Sequence, residues 1–257
     1  MQIVGFSTAQ VATWLYVPAY RLLLDAGDGA AAHLGADCES VDTIAITHQH
    51  RDHLAGLLEV VSWAAYERRC RILYPAESDH VAAVRQAGPT QGVPCATTAR
   101  WTAVRSGQRI SLADGEAGPH LLVLPAAHAV RKTPNRALGY AVVDGDRIPL
   151  AVTGDSAVVP LDLPARPDVL FCDCTYLSRQ DVLEPYAGLG QHGLLDRVLA
   201  NAAQAQPGHL VLYHLNARYN AADHAELVRD ACRTHNVTFP VTVLWPGAVC
   251  RDILAAC

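Results

Sequence analysis

The sequence has few basic residues and no long apolar run, and each shortage excludes a class of protein. In 257 residues, 25 Asp and Glu outnumber 20 Lys and Arg. The overall field would therefore not gather a polyanion such as tRNA, and any nucleic-acid contact would have to be local. No window approaches the roughly 20 apolar residues of a membrane span, and no signal-peptide pattern precedes Arg21. We expect a cytoplasmic protein that makes no membrane contact.

The cysteines lack the spacing of a metal or redox motif. The sequence has no Cys-x-x-Cys pair and no regular cysteine framework. The eight cysteines are Cys38, Cys70, Cys95, Cys172, Cys174, Cys232, Cys250 and Cys257. We expect them to be reduced thiols, as in a cytosolic protein.

Linkers, repeats and low-complexity segments are also missing, whereas 51% of the residues are hydrophobic. A chain of this length and composition can bury a large core, so we predict one domain over residues 1–257.

Short β-branched and apolar runs alternate with helical periodicity along the chain. Leu54, Leu57, Leu58, Val61 and Ala65 recur at helical spacing and predict an amphipathic helix over residues 53–68. Further helices are predicted over residues 77–87, 193–205 and 221–235, with a loop over 89–100. Strands are predicted over residues 2–6, 11–17, 21–24, 43–47, 71–74, 101–104, 109–112, 120–124, 138–143, 148–152, 169–174, 209–213 and 241–244. Asp144-Gly145-Asp146 predicts a hairpin turn, and the whole pattern predicts an α/β layered domain of two packed sheets with outer helices.

The segment from Thr47 to His53 carries the strongest chemical signal. His48 and His50 alternate just past a buried strand, so both imidazoles can face one metal ion. Asp52 and His53 follow at the start of the helix. A single histidine here would be an incidental surface residue and Asp52 a helix cap, but three histidines and an aspartate within six residues favour a metal site. Imidazole nitrogen and carboxylate oxygen are ligands that zinc prefers.

Four neighbouring ligands cannot complete two metal sites, so further His or Asp residues must follow downstream strands. His128, Asp155 and His214 each stand where a predicted strand gives way to a loop. Each one alone is more often an ordinary loop residue, with Asp155 a turn residue in Gly-Asp-Ser. Their joint placement favours metal ligation.

These residues resemble the signature of the metallo-β-lactamase superfamily, in which two alternating histidines precede Asp-His. The resemblance implies a four-layer αββα sandwich and two Zn²⁺ ions, with Mn²⁺ or Fe²⁺ as alternatives. It assigns one ion to His48, His50 and His128, the other to Asp52, His53 and His214, and the bridging position to Asp155.

Further motifs are similar to the RNase Z branch, which includes small phosphodiesterases. They are Leu23-Leu24-Asp25-Ala26-Gly27-Asp28-Gly29, the region from Pro125 to His128 with Leu138-Gly139-Tyr140, Cys172-Asp173-Cys174-Thr175-Tyr176, His192 after Gly190-Gln191, and the run from His214 to Tyr219. Asp173 stands in place of the branch's Glu, and Asn216 in place of its Ser. Members of this branch are often dimers, so the resemblance implies a homodimer.

Two departures from the branch argue against tRNA as the substrate. Only 13 residues separate Tyr140 from Gly154, so no protruding tRNA-gripping arm fits there. The usual N-terminal Gly-Thr-Gly loop is altered to Gly5-Phe6-Ser7-Thr8. The substrate is therefore expected to be a small-molecule or short single-stranded phosphodiester.

The leading hypothesis is hydrolysis of a phosphodiester by a dinuclear zinc hydrolase. The resemblance implies that Asp52 orients the attacking hydroxide and that His192, positioned by Asp173, protonates the leaving oxygen. Without it, His192 and Asp173 would be ordinary loop and strand-end residues. Arg218 and Asn216 are candidates for substrate binding because a guanidinium fork suits phosphate. Arg131 and Lys132 could meet an anionic substrate or be solvated loop charges.

Three other functions are weaker alternatives. The same chemistry would hydrolyse a carbon ester, thioester, lactone or lactam in a small metabolite, and the missing arm favours a small substrate. A non-catalytic module with structural metals conflicts with the complete set of ligands. A redox di-iron role conflicts with His50, where that branch typically has Glu.

Overall fold

Two β-sheets face each other in the computed structural model of the chain, which describes residues 1–64, 70–76, 78–113, 118–128, 137–156, 158, 162–182 and 192–255. In this described part, the first sheet contains, in spatial order, β1 (Val4–Thr8), β2 (Ala12–Val17), β3 (Leu22–Leu24), β4 (Thr43–Ala45), β5 (Cys70–Pro75) and β6 (Ala99–Val104). Strands β1 to β3 pair antiparallel, and β3 to β6 pair parallel.

The second sheet has the same plan. Its described strands, again in spatial order, are β7 (Arg109–Ser111), β8 (His120–Pro125), β9 (Leu138–Asp144), β10 (Arg147–Val152), β11 (Val169–Asp173), β12 (His209–Tyr213) and β13 (Val241–Val243). Strands β7 to β10 pair antiparallel, and β10 to β13 pair parallel. Parallel strands are covered on both faces, which is why β11 is buried along its whole length and is apolar up to its last residue, Asp173.

Helices cover the outer faces of both sheets. They are α1 (Ala30–Leu34), α2 (Arg51–Leu54), α3 (Leu57–Ala64), α4 (Asp79–Ala87) and α5 (Cys95–Thr98) in the first half, with α6 (Leu195–Ala205) and α7 (Ala221–Thr234) in the second. Leu15 and Phe171 belong to the core between the sheets, Leu57 to the core under the first helices, and Leu199 to the core under the last. The structure therefore confirms the predicted four-layer αββα sandwich.

The prediction of one continuous helix over residues 53–68 is wrong, because the structure has two helices there. The first begins earlier, at Arg51, and ends at Leu54, and the second begins at Leu57; residues 65–68 lie outside the described residues. Gly56 causes the break, because its N–H donates to the carbonyl of Ala26 and a β-carbon there would lie 2.4 Å from the Gly27 carbonyl oxygen. This close approach brings the start of the helix against the turn after β3.

Other local predictions have mixed outcomes. The Asp144-Gly145-Asp146 hairpin is confirmed, because Asp144 pairs with Arg147 and Gly145 has φ +58°. The predicted loop over residues 89–100 is wrong, because it contains α5 and the start of β6. Helix α1 was not predicted. The helix predicted to start at residue 77 has its first turn at Asp79, capped by Ser78, and residue 77 itself is outside the described part.

The cysteines correct one sequence-based expectation. Cys38, Cys70, Cys172, Cys174 and Cys232 are free thiols, as expected. Cys250 is disulfide-bonded, so the expectation of reduced thiols throughout is wrong there. Spacing along the chain gave no sign of this bond because disulfide pairing depends on proximity in the fold. Among the residues that the structure describes, no helix is long and apolar enough to cross a membrane.

Candidate metal centre

The histidine and aspartate residues singled out in the sequence meet at one end of the sandwich. His48 and His50 follow the carboxyl end of β4, and Asp52 and His53 open α2. His50 is the N-cap of α2, with extended backbone angles of −69° and 149°, so the chain turns sharply between the two pairs. The carboxyl ends of β8, β10 and β12 reach the same place, followed in turn by His128, Asp155 and His214.

The first group of side chains contains His48, His50, His128 and Asp155, whose donor atoms all lie within 4.8 Å of one another. Nδ1 of His50 is 2.9 Å from Nε2 of His48 and 3.3 Å from Nε2 of His128. Oδ2 of Asp155 is 3.5 Å from Nε2 of His48. Three ring nitrogens and one carboxylate oxygen thus converge on one point.

The second group contains Asp52, His53 and His214, and Asp155 also reaches it. Nε2 of His53 is 3.3 Å from Nε2 of His214. Oδ2 of Asp52 is 3.4 Å from the His214 nitrogen and 3.7 Å from the His53 nitrogen. Asp155 extends Oδ1 to 3.4 Å from His53 and Oδ2 to 3.4 Å from His214, so it lies between the two groups.

Electrostatics show that this cluster suits a cation. Burial lowers the pKa of His48 well below its usual range, and burial with His128 lowers the pKa of His50 to about 4, so both rings offer lone pairs at neutral pH. Burial also opposes protonation of His214, but the carboxylates of Asp155, Asp173 and Asp52 outweigh it and raise its pKa to about 10. The buried carboxylates therefore require positive charge, as protons or as metal ions that displace them.

One unsatisfied atom supports the same conclusion. Within the described residues, Oδ1 of the buried Asp155 accepts no hydrogen bond of normal geometry. A buried carboxylate oxygen without such a bond is costly unless a metal ion or water occupies the space before it. The residues present therefore fit metal ions, and their nitrogen and oxygen donors are those that zinc prefers.

Asp25 holds the first motif in place, and its role was missed in the sequence. It follows β3 in the left-handed conformation, at φ +58°. Its carboxylate accepts the Thr47 amide at 2.7 Å, the Thr47 hydroxyl at 2.9 Å and Nδ1–H of His53 at 2.7 Å. The Thr47 hydroxyl is also 3.0 Å from Nδ1 of His48. These bonds aim Nε2 of both histidines at the cluster, as partners of metal-ligating histidines do.

We expect Asp25→Ala to weaken zinc binding by about 10- to 100-fold, because His53 loses its orienting partner and the Thr47 hydroxyl that contacts His48 loses its acceptor. It should also lower the free energy of unfolding by about 3–5 kcal/mol, because the buried Thr47 amide and His53 ring lose their acceptor. Zinc titration and urea unfolding of the metal-free protein measure the two effects. Asp28→Ala, at an exposed aspartate three residues on, is the matched control and should change stability by less than about 0.5 kcal/mol. Equal zinc affinity in the two variants would contradict this role.

Asp173 and His192 form a pair beside the second group. Oδ2 of Asp173 lies 2.9 Å from Nδ1 of His192, and the Thr175 hydroxyl donates to Oδ1 of Asp173 at 2.7 Å. The His192 ring stacks on His214 with centroids 5.5 Å apart, and its donor atom lies within 4.8 Å of those of Asp155 and His214. Burial lowers the pKa of His192, but Asp173 outweighs it, so the net shift is upward. Thr175, which also contacts Nδ1 of His214 at 3.1 Å, was quoted within a motif in the sequence but was given no role there.

The two candidate substrate-binding residues lie at the edge of this region. Asn216 accepts hydrogen bonds from the amide and Nε of Arg218, at 3.2 and 3.1 Å. The Arg218 guanidinium also lies 3.8 Å from Asp181. Its contacts within the described residues are thus with these neighbours rather than with the histidine cluster. Arg131 and Lys132 lie outside the described residues.

Two adjoining histidine and carboxylate groups at the end of an αββα sandwich are the arrangement of a metal-dependent hydrolase. The chain belongs to the metallo-β-lactamase superfamily, because the family model described as "Beta-lactamase superfamily domain" matches residues 20–215.

Comparisons with individual proteins agree with this family. The chain is similar to YhfI of Bacillus subtilis, a metallo-β-lactamase fold protein, with a TM-score of 0.70 and 17% identity over 97% of this chain and 99% of that one. It is also similar to the short form of human tRNase Z, with a TM-score of 0.71 and 17% identity over 98% and 99% of the two chains. A "Beta-lactamase-like protein 2 homolog" of Drosophila melanogaster is 36% identical over 67 residues, which cover 23% of each protein. The two structural similarities show that the chain has the metallo-β-lactamase fold.

Proposed function

We propose that the protein is a dinuclear zinc-dependent phosphodiesterase of RNase Z-like type that acts on a small or single-stranded phosphodiester. One ion would be held by His48, His50 and His128, and the other by Asp52, His53 and His214. Asp155 would bridge them, in keeping with its contacts to both groups. Two such ions supply Lewis acidity and lower the pKa of a water molecule.

The Asp173–His192 pair carries the proposal. An alkoxide is a poor leaving group and needs a proton, whereas a thiolate or a phenolate leaves without one. His192 lies beside the metal-binding residues, with Nδ1 held by a buried carboxylate. The ring's Nε2 is then the nitrogen free to carry a proton to the substrate. This arrangement suits an alkoxide leaving group, such as that of a natural phosphodiester, better than the thiolate of a thioester.

Each of three residues would have a separate role in the reaction. Oδ2 of Asp52 accepts the Gln10 amide at 2.9 Å, which holds this carboxylate at the centre, where it would orient the attacking water. Once the water has lost a proton to solvent, its oxygen would bond to phosphorus as the P–O bond to the leaving group breaks. His192 would give its proton to the departing oxygen. Arg218, steadied by Asn216, would bind a phosphate oxygen.

A matched set of substrates tests the proposal. Zinc-loaded protein should hydrolyse bis(p-nitrophenyl) phosphate and dinucleotides, with turnover of p-nitrophenyl acetate and of a thioester lower by at least about 100-fold in kcat/KM, or about 2.7 kcal/mol. Faster hydrolysis of the carbon ester or thioester, with no phosphodiester turned over, would overturn it and favour the carbonyl-substrate alternative.

A further inference from the structure

A cavity of about 540 Å³ adjoins the candidate metal centre on the side of His50. His50 has Nδ1 in the first metal-binding group, and the same residue lines the cavity. Leu54 and Leu58 line it from α2 and α3, and Ala83 and Val84 line it from α4. Its volume falls in the range of small-molecule sites, which is about 300–1,000 Å³. A group attached to the reacting atom could thus extend directly into it.

The cavity wall is tied to the metal-binding loop. The Ser78 hydroxyl caps α4 by accepting the Val81 amide at 3.4 Å, and it donates to Oε1 of Gln49 at 3.3 Å. Gln49 lies between His48 and His50 in the sequence. Its side chain is buried and also lines the cavity. These hydrogen bonds fix the position of α4 relative to the loop that carries His48 and His50. The cavity therefore has a fixed position beside the candidate metal centre.

The lining selects for an aliphatic group. Among the described residues around the cavity, the long walls are Leu, Val and Ala side chains, and the one ring is that of His50. A nucleobase would call for aromatic side chains on which to stack. An alkyl chain would gain affinity with every methylene removed from water. The polar residues Gln49, Arg51, Glu59 and Gln91 also line the cavity, so the alkyl chain would lie against its Leu, Val and Ala side chains.

We propose that this cavity binds an aliphatic ester group of the substrate, so that the physiological substrate is a small phosphodiester with an alkyl chain. The proposal rests on the proposed phosphodiesterase function and names its substrate class. Because the cavity adjoins His50, it would take the ester group that stays on phosphorus or the one that leaves, and a long chain would lower KM.

Two pairs of probes test the cavity. Methyl and hexyl p-nitrophenyl phosphate share a leaving group and report turnover, whereas dimethyl and methyl hexyl phosphate report binding by calorimetry. Wild-type protein should bind each hexyl compound about 30- to 100-fold more tightly than its methyl partner, given partial burial of five methylenes. Equal affinity for hexyl and methyl compounds would overturn the proposal.

Variants of α4 locate the effect. Ala83→Phe should fill the cavity and reduce the hexyl preference to below about threefold, with wild-type zinc content and circular dichroism as evidence of correct folding. Ala82→Phe makes the same change at the neighbouring residue of α4, which lines a different cavity, and should keep the preference. Val84→Ala enlarges the first cavity and should shift the preference from hexyl towards octyl. A hexyl preference that survives Ala83→Phe would also overturn the proposal.

Failure of the proposed function gives a different result. If neither p-nitrophenyl diester is hydrolysed, the phosphodiesterase proposal fails, and calorimetry still shows whether the hexyl chain enters the cavity. If both diesters are hydrolysed with equal KM, and dimethyl and methyl hexyl phosphate bind with equal affinity, the function stands and the alkyl site fails.

Discussion

Replacing Asp155 with alanine is expected to lower kcat by at least about 10³-fold and to reduce bound zinc from two ions to one or none per chain. Asp155 is fully buried and reaches both groups, with Oδ2 near His48 and His214 and Oδ1 near His53. Alanine would remove the shared negative charge and leave five histidine nitrogens with only Asp52 to balance the ions.

Elemental analysis of the dialysed protein and steady-state kinetics measure the two effects of Asp155→Ala. The matched control is Asp168→Ala, which breaks an exposed ion pair with Arg147 at the amino end of β11. That variant should bind two ions and keep wild-type kcat. If Asp155→Ala also retained two ions and its activity, Asp155 would not bridge the metal sites.

His192→Ala is expected to lower kcat by about 10²- to 10⁴-fold for a phosphodiester with an alkoxide leaving group. The same variant should lose less than about tenfold with p-nitrophenolate as the leaving group, because that anion needs no proton. This contrast separates a general acid from a residue that only shapes the site, since a structural defect would slow both substrates alike.

Asp173→Asn extends the test to the residue that positions His192. Asp173 is buried and accepts hydrogen bonds from His192, Thr175 and the Ser156 amide, so its loss should produce the same dependence on leaving group in a weaker form. His235→Ala, at a histidine on the surface after α7, is the control and should leave both rates unchanged. A uniform loss with both leaving groups in His192→Ala would contradict proton donation.

The sequence was most informative where the site is local. His48, His50, Asp52 and His53 lie within six residues, and a strand followed by a helix already implies that their side chains converge. The distant residues could be predicted because one rule applies to all of them: each follows a strand whose carboxyl end reaches the same edge of a sheet. The extent of one domain over residues 1–257 stays a prediction.

Features that depend on packing between distant segments could not be predicted in the same way. Asp25 acts through a left-handed backbone conformation and through hydrogen bonds to residues more than 20 positions away. The break at Gly56 arises from the approach of a second backbone, which hydrophobic periodicity does not record. The cavity beside His50 needs the placement of α4, which no motif specifies.

The central claim is that the histidine and aspartate cluster holds two metal ions. X-ray diffraction from crystals of the zinc-loaded protein, recorded on both sides of the zinc absorption edge, tests it most directly. We predict two anomalous peaks, one at about 2.0–2.1 Å from the nitrogens of His48, His50 and His128, and the other at the same distance from those of His53 and His214. The absence of both peaks in crystals of protein that is fully active would contradict the account.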